Sequence, residues 1–157
     1  MKLLQNISLK QYNTFHIDVS AKYFAAFSTV DELKELLNYK SESLYKFILG
    51  GGSNILFTKD FDGLVLKNEL KAIELIKEDA HHFYVKAAAG ENWHQFVMNC
   101  IHHNYAGLEN LSLIPGNVGA SPMQNIGAYG VEIKDVFESL EALNKSNKII
   151  HTSSTKD

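Results

Sequence analysis

The sequence predicts a mixed α/β protein, and three features carry that prediction. A strand–helix–strand unit leads directly into three consecutive glycines at residues 50–52. A second helix, with a continuous apolar stripe, is expected over Asn92–His102. A stretch rich in glycine and proline then runs from Gly107 to Gly130 with Glu109 as its only charged residue. Alternating strand and helix patterns of this kind are typical of helices layered on a sheet.

The strand–helix–strand unit is predicted from local patterns. Lys22–Phe27 is short, aromatic and apolar, which indicates a strand. Thr29 is a good helix N-cap with Glu32 three residues later, and leucines follow at helical spacing, so we expect a helix over Thr29–Tyr39. Tyr45–Leu49 indicates the second strand. The unit therefore predicts a small layer of sheet and helix that ends in a glycine turn.

The remaining elements follow from the same two periodicities. The second helix is predicted because apolar residues recur from Trp93 at i, i+3, i+4, i+7 and i+8. Phe137–Thr152 indicates a hairpin with strands up to Leu143 and from Lys148 and a turn at residues 144–147. The opening stretch to Ile17 has no clear period, so no element is predicted there. Short strands are expected at Leu64–Lys67, Ala72–Ile76 and Phe83–Ala89.

The composition excludes several classes of protein. The chain has 157 residues, of which 45% are hydrophobic and 21% charged, as in ordinary globular proteins. That length suits one full core, or one small domain and part of another. No apolar run approaches the roughly 18 residues of a membrane helix, and the N-terminus lacks the pattern of a signal peptide. Cys100 is the single cysteine, which excludes an internal disulfide and favours a reducing, cytoplasmic location.

The charged residues restrict the kind of ligand. All 15 basic residues are lysines, and the formal net charge is −3. This balance argues against nucleic acid as the main partner. Lysine can hold a phosphate as a point charge but lacks the planar two-pronged grip of a guanidinium. If the protein binds an anion, backbone amides and helix ends must therefore do much of the holding.

The glycine turn after the second strand is the first candidate site. It consists of Gly50, Gly51, Gly52, Ser53 and Asn54. Successive amides without Cβ atoms can point into one concavity, and such a nest binds phosphate oxygens. It is not a dinucleotide-binding fingerprint, because Ile55 stands where the third glycine is needed, and it lacks the Gly-Lys-Ser/Thr of a P-loop. An ordinary strand-to-loop turn stays open as the alternative.

The second candidate site lies in the long uncharged stretch. Ser121 before Pro122 predicts a helix N-cap whose free amides could bind a phosphate. Gln124, Asn125 and Tyr129 could hydrogen-bond the polar edge of a ring. A structural loop that wraps the core is the alternative. The residues concerned are Ile114, Pro115, Gly116, Gly119, Ala120, Ser121, Gln124, Asn125, Gly127, Ala128 and Tyr129.

The remaining reactive residues suggest no further site. The seven histidines include two adjacent pairs, whose side chains normally diverge, and no metal-binding motif is present. Cys100 lies on the apolar stripe, so we expect a buried hydrophobic residue rather than a nucleophile. No Ser/His/Asp order of a hydrolase is found.

Five blocks of the sequence resemble, in order and spacing, the UDP-N-acetylenolpyruvoylglucosamine reductase family, also called UDP-N-acetylmuramate dehydrogenases. The resemblance extends from about Leu9 to Thr152, and five blocks in register make chance agreement very improbable. The blocks are Asn13-Thr14-Phe15, Gly50-Gly51-Gly52-Ser53-Asn54-Ile55-Leu56, Ala89-Gly90-Glu91-Asn92-Trp93, Gly107-Leu108-Glu109-Asn110-Leu111-Ser112-Leu113-Ile114-Pro115-Gly116 and Pro122-Met123-Gln124-Asn125-Ile126-Gly127-Ala128-Tyr129-Gly130.

The resemblance implies an α+β fold of the vanillyl-alcohol-oxidase type, in which two α/β subdomains grip FAD. Residues 1–67 would form the first subdomain and residues 68–157 an incomplete second one, without the C-terminal substrate-binding domain. The Gly50–Asn54 turn would wrap the FAD pyrophosphate. The Ile114–Ser121 and Gln124–Gly130 segments would line the rest of the flavin, including its ring. FAD would be bound non-covalently, since neither segment contains a histidine.

The resemblance also implies a reaction. NADPH would reduce the flavin, which would then reduce UDP-N-acetylglucosamine enolpyruvate to UDP-N-acetylmuramate for peptidoglycan. The family's arginine, serine and glutamate with catalytic roles would lie beyond Asp157, so the chain alone is expected to be inactive. We expect no nucleic-acid or membrane partner, and self-association through the incomplete subdomain. Two alternatives remain, another FAD-dependent oxidoreductase of the same superfamily or a non-catalytic nucleotide-binding module.

Overall fold

The first half of the chain is a sheet with one long helix. The structure is a computed structural model that describes residues 2–39, 44–144 and 148–153. A 3-10 turn at Lys10–Tyr12 follows the first strand. The regular elements are β1 (Leu4–Ser8), β2 (Ser20–Phe27), α1 (Val30–Asn38), β3 (Lys46–Leu49) and β4 (Phe61–Asn68).

These strands form one sheet with the order β1-β2-β4-β3. β1 is antiparallel to β2, whereas β2, β4 and β3 are mutually parallel. β4 is the central strand, and Leu64, Val65 and Leu66 are fully buried in it. The predicted strand–helix–strand unit is confirmed, with β4 inserted between its two strands. β2 and β4 begin earlier than the sequence indicated.

β1 is an edge strand that the sequence did not predict. Asn6 has φ 52°, which interrupts the extended backbone. Leu4 and Ile7 consequently pack against the same core although they are three residues apart. A strand with this spacing of apolar residues does not show the alternation by which strands are recognised.

α1 has the N-terminus that the sequence predicted. The Thr29 hydroxyl accepts a hydrogen bond from the Glu32 amide at 3.1 Å, and the Glu32 carboxylate accepts one from the Thr29 amide at 3.2 Å. This reciprocal capping box satisfies two amides that a helix start would otherwise leave unpaired. Leu33 and Leu36 bury the apolar face of α1 against the sheet.

The second half contains two longer strand pairs and one long helix. Asn92 caps α2 by accepting from the Gln95 amide at 3.0 Å, so the helix begins one residue after the predicted start. Residues 145–147 of the predicted hairpin turn lie outside the described residues. The elements are β5 (Ile73–Glu78), β6 (Phe83–Ala87), α2 (Trp93–His102), α3 (Ser121–Gln124), β7 (Gly127–Ala128), β8 (Val131–Glu132), α4 (Ile133–Val136), β9 (Ser139–Leu143) and β10 (Ile149–Ser153).

The predicted strands and hairpin of this half are confirmed with small shifts. β5 pairs with β6, β7 with β8 and β9 with β10, each antiparallel and each as a separate two-stranded sheet. Class and content agree with the expected α+β fold. Within the described ranges, no helix combines the length and the apolar character that a membrane crossing requires.

Hydrophobic clusters fill the two halves separately. Two clusters lie on opposite faces of the four-stranded sheet, with Val65 in one and Leu64 and Leu66 in the other. A third cluster is built on α2 and includes Trp93 and Cys100. Burial raises the pKa of the Cys100 thiol to about 11, which keeps it protonated. Cys100 is therefore a core residue, as its place on the apolar stripe indicated.

Candidate functional site

The glycine turn after β3 requires glycine at Gly52. Its φ is +70°, and a Cβ at this position would overlap the carbonyl oxygen of Tyr12. The turn therefore lies directly on the chain around residues 12–14, with no room for a side chain between them. This close approach is what the run of three glycines makes possible.

The turn also meets the Gly/Pro-rich stretch, which lies far away in sequence. A Cβ built on Gly51 would lie 2.8 Å from the Asn117 Oδ1 atom and 3.4 Å from the Gly116 Cα atom. A Cβ built on Gly116 would lie 3.3 Å from the Ser53 Oγ atom. The structure thus brings the first candidate segment into contact with part of the second.

Two carbonyl groups of the turn accept hydrogen bonds from the protein. The Lys67 Nζ donates to the Gly50 carbonyl oxygen at 2.6 Å. The Thr14 amide donates to the Gly52 carbonyl oxygen at 3.1 Å, and the Thr14 hydroxyl lies 3.4 Å from the same atom. In a planar trans peptide the C=O and the N–H point in opposite directions. The amides of Gly51 and Ser53 therefore face away from these donors.

Those amides have no protein partner. Within residues 2–39, 44–144 and 148–153, no acceptor receives a hydrogen bond from the amides of residues 50–54. Gly51 and Asn54 are exposed to solvent. A run of unpaired, accessible amides at a bend carries partial positive charge and can bind an anion.

The second segment differs, because most of its amides are already bonded. The Val118 and Gly119 amides donate to the carbonyls of Glu91 and Ala89 at 2.9 and 3.0 Å, and the Ala120 amide donates to the Asn117 carbonyl at 3.0 Å. Over the described part of the chain, the Gly116 and Asn117 amides, which adjoin the glycine turn, have no such partner. The segment therefore has two unpaired amides next to the glycine turn. The nest denotes these two amides together with those of residues 50–54.

The prediction of Ser121 as a helix N-cap is wrong. Ala120 occupies the N-cap position of α3, and Ser121 is the first helical residue. A 3-10 turn over Val118–Ala120 runs into α3 without a break, so the backbone is already helical at Ala120. The Ser121 hydroxyl instead donates back to the Val118 carbonyl at 2.7 Å and is buried. The free helix start that the sequence indicated is absent.

The chain from Ala89 to Trp93 is a third part of the site that sequence reasoning did not assign to it. The Trp93 amide donates to the Gly116 carbonyl at 3.0 Å, and the Asn117 side chain donates to the Gly90 carbonyl at 3.1 Å. A Cβ on Gly119 would lie 2.6 Å from the Ala89 Cβ. The small residues at 87–90 before a helix cap were the signal of this close packing.

Several of the other predicted residues meet in a shallow depression beside the nest. Ala120 and Ser121 form part of its wall where α3 begins. The depression has a mostly apolar lining. Its residues are Trp93, Ile114, Pro115, Asn117, Ala120, Ser121, Gln124 and Ile126.

Four predicted residues that follow Gln124 lie outside that lining, as do Gly116 and Gly119. Asn125 ends α3 in a left-handed conformation with φ 43°. Gly127 and Ala128 form β7, and Tyr129 is at the tip of the β7–β8 hairpin. With φ 52° at Tyr129 and 79° at Gly130, this is the conformation of a type I′ turn. The Tyr129 side chain is 87% exposed.

Two lysines on or near β4 each bind a glycine carbonyl, Lys67 within the glycine turn and Lys71 outside it. Burial lowers the pKa of Lys67, against the opposing effect of nearby Glu69. The Lys71 Nζ donates to the Gly90 carbonyl oxygen at 2.6 Å and lies 3.2 Å from the Glu91 carboxylate. The two lysines are thus equivalent in their carbonyl contacts but not in their charge environment.

The chain is similar in sequence to a known domain family and to several curated proteins. The FAD binding domain family matches residues 21–153. The UDP-N-acetylenolpyruvoylglucosamine reductase of Amoebophilus asiaticus is 54% identical over 151 residues, which is 96% of this chain and 44% of that protein. The protein of the same name from Flavobacterium johnsoniae is 54% identical over 156 residues, or 99% and 44% of the two chains. The chain thus spans less than half the length of these curated relatives.

A solved structure agrees with the fold. The crystal structure of UDP-N-acetylenolpyruvylglucosamine reductase (MurB) from Thermus caldophilus superposes with a TM-score of 0.72. The match covers 97% of this chain and 52% of that one, at 23% sequence identity. At that identity the similarity establishes the fold.

Proposed function

Because the chain belongs to the FAD binding domain family, we propose that it is the flavin-binding part of a UDP-N-acetylmuramate dehydrogenase. The carrying observation is the contact between the glycine turn and Gly116–Asn117, because both segments have amides without a protein partner among the described residues. Relatives named UDP-N-acetylenolpyruvoylglucosamine reductase at 54% identity support the choice within the family.

The residues present fit the diphosphate of FAD. The amides of Gly51 and Ser53 point to the side opposite Lys67 and Thr14, and those of Gly116 and Asn117 adjoin them. Any Cβ at Gly51 would enter the space between the two segments. Amide donors alone can bind a diphosphate, which suits a chain without arginine.

We propose that the surface around the depression beside the nest contacts the rest of the cofactor. Ile114, Pro115 and Ala120 offer apolar contact for a flat ring, and the Gln124 side chain offers a polar one. The flavin ring would also be contacted by the end of α3 and the neighbouring hairpin, through Asn125, Gly127, Ala128 and Tyr129. When bound, FAD would carry a hydride between a nicotinamide and an enolpyruvyl group.

We assign residues 1–67 and 68–157 to two subdomains. β4 ends at Asn68, and the clusters on the four-stranded sheet are built almost entirely from residues before it. The cluster around Trp93 is built from residues after it. The glycine turn belongs to the first part and Gly116–Asn117 to the second, so the nest would lie between them.

In the whole enzyme, NADPH would be the reductant and UDP-N-acetylglucosamine enolpyruvate the substrate, in the cytoplasm. The proton donor and the enol-stabilising groups would come from sequence that corresponds to the other half of the relatives. We therefore expect the 157-residue chain to bind FAD without oxidising NADPH in the presence of the UDP-sugar. Turnover by the purified chain would contradict this assignment of roles.

We also propose that the chain self-associates. β5, β6, β9 and β10 form two-stranded sheets whose outer edges pair with no other strand of the described residues, and such edges invite pairing with another chain. Several of their apolar side chains are exposed, which adds a hydrophobic contribution. Sedimentation at several concentrations tests this, and a monomer throughout would contradict it. These exposed side chains are Leu75, Ile76, Phe83, Ile149 and Ile150.

Titration of the purified chain with FAD tests the proposed function. We expect quenching of flavin fluorescence with saturation, and tighter binding of FAD than of riboflavin, which lacks the diphosphate. Absence of FAD binding would favour the non-catalytic module. Flavin that stays attached after acid denaturation would favour a covalent oxidase.

A further inference from the structure

Lys67 is the one cation that touches the backbone of the glycine turn among the described residues. It lies near the end of β4 and is half-buried, and its Nζ donates to the Gly50 carbonyl oxygen at 2.6 Å. β4 is the central strand and pairs with β3 through Leu49, the residue just before the turn. The lysine is therefore fixed to the turn by a rigid element.

The contact determines the direction of one amide. The Gly50 carbonyl and the Gly51 amide belong to the same planar trans peptide, so holding the oxygen toward Lys67 turns the N–H the opposite way. A charged donor on the carbonyl also polarises the peptide and strengthens its amide as a donor. Thr14 acts in the same way on the Gly52–Ser53 peptide. It donates to the Gly52 carbonyl, so the Ser53 amide points away from Thr14.

The charge of Lys67 has no carboxylate partner within ion-pair distance in the described parts of the chain. Lys71 provides the contrast, because its Nζ makes the same kind of contact with the Gly90 carbonyl but pairs with Glu91 at 3.2 Å. In addition, the Glu91 amide beyond the Gly90 carbonyl already donates to the Ala88 carbonyl at 3.0 Å. Lys71 thus orients an amide that is already bonded, whereas Lys67 orients one that is free.

We propose that Lys67 is a positioning residue for the cofactor diphosphate, acting through the Gly50–Gly51 peptide and lending positive charge to the nest. The inference rests on the proposed function, because it takes the anion to be the diphosphate of FAD. Lys67 itself does not touch the cofactor, since it lies on the other side of the peptide. Its effect is on how firmly the Gly51 amide is presented.

The test compares Lys67→Met with Lys71→Met, two changes that each remove an ammonium bound to a glycine carbonyl. Fluorescence titration should show FAD affinity falling about tenfold in K67M, because the Gly51 amide loses its fixed direction and the nest loses a nearby positive charge, and by less than about twofold in K71M. Riboflavin affinity should be the same in K67M and wild type. Lys67→Arg, which keeps a charged donor, should recover most of the FAD affinity.

The outcomes separate the inference from the proposed function. Equal losses in K67M and K71M, or an equal loss for FAD and riboflavin, would assign Lys67 a merely structural role and overturn the inference. Wild-type binding of FAD that K67M leaves unchanged would overturn it while keeping the proposed function. No FAD binding by the wild type would overturn both. A second measurement needs no ligand, because the Gly51 amide resonance should move in K67M and stay in place in K71M.

Discussion

The glycine turn at residues 50–54 and the stretch at 116–121 are similar in sequence but different in hydrogen bonding. Both are uncharged and glycine-rich, and both were predicted to present free amides to a phosphate. In the turn, the amides have no acceptor within the described residues. In the stretch, the amides from Val118 to Ser121 are bonded to carbonyls of the chain.

The difference comes from what lies behind each segment. In the turn, Lys67 and Thr14 donate to the carbonyls of Gly50 and Gly52, and the amides have no partner among the described residues. Acceptors from Ala89 and Glu91 take up the amides of the stretch. A glycine-rich sequence thus keeps amides available for a ligand only where its neighbours bind its carbonyls rather than its amides.

Gly52→Ala should give the largest effect. A Cβ at this positive φ would overlap the Tyr12 carbonyl, which is backbone and cannot rotate away. We expect the free energy of unfolding to fall by about 4 kcal/mol, with strain and overpacking combined. Gly130→Ala is the control, since it also has positive φ but nothing within 4 Å, and should cost only about 1 kcal/mol. Equal losses in urea unfolding would mean that the turn is not pressed against residue 12.

Ser121→Asp tests the corrected role of the second segment. Asp is as good as Ser at an N-cap, but at Ser121 it cannot donate to the Val118 carbonyl and would be buried. We expect a loss of about 3 kcal/mol in S121D, which buries an acceptor without a partner. Thr29→Asp, at the true N-cap of α1, should change stability by less than about 0.5 kcal/mol. A harmless S121D would restore Ser121 as a cap.

Gly51→Ala should separate binding from folding. Its Cβ would meet mainly the Asn117 side chain, whose amide can shift, and Gly51 does not have positive φ. We expect the fold to persist while FAD binds about tenfold more weakly, a loss of about 1.4 kcal/mol. Fluorescence titration and urea unfolding of the same sample provide the two readouts. Unchanged FAD affinity would mean that FAD does not bind between the turn and Asn117.

Amide hydrogen exchange examines the contrast without any substitution. The Gly51 and Ser53 amides should exchange rapidly in the free protein and slow down when FAD is added. The Val118 and Gly119 amides should be protected in both states, because they are bonded within the chain. Exchange measured by NMR residue by residue provides the check. Fast exchange at Gly119, or protection of Gly51 without FAD, would remove the distinction between the two segments.

Local signals were enough to predict the helices. α1 and α2 begin within one residue of the expected positions because Thr29 and Asn92 cap them through neighbouring residues. β1 could not be predicted, since the left-handed Asn6 breaks its alternation. Ser121 was misassigned because the preceding 3-10 turn decides whether it is a cap or a helical residue.

The site was predictable in part and for the same reason. The glycines of the turn were evident from sequence, and so was the chemistry of exposed amides. Lys67 was not, because its contact with Gly50 joins residues seventeen apart on different elements and leaves no periodic signal. The hydrogen bond from the Gly119 amide to the Ala89 carbonyl is equally non-local. Which groups compete for a backbone donor is decided by tertiary structure.

The place of β4 in the sheet sets an order of events during synthesis on the ribosome. β3 pairs only with β4, which leaves the ribosome later, so the glycine turn emerges before the strand that anchors it. Thr14 is available from the start, but Lys67 arrives last. The Gly50 carbonyl therefore has no Lys67 partner until residue 67 has left the ribosome and β4 has docked, and Gly116–Asn117 reach the turn later still.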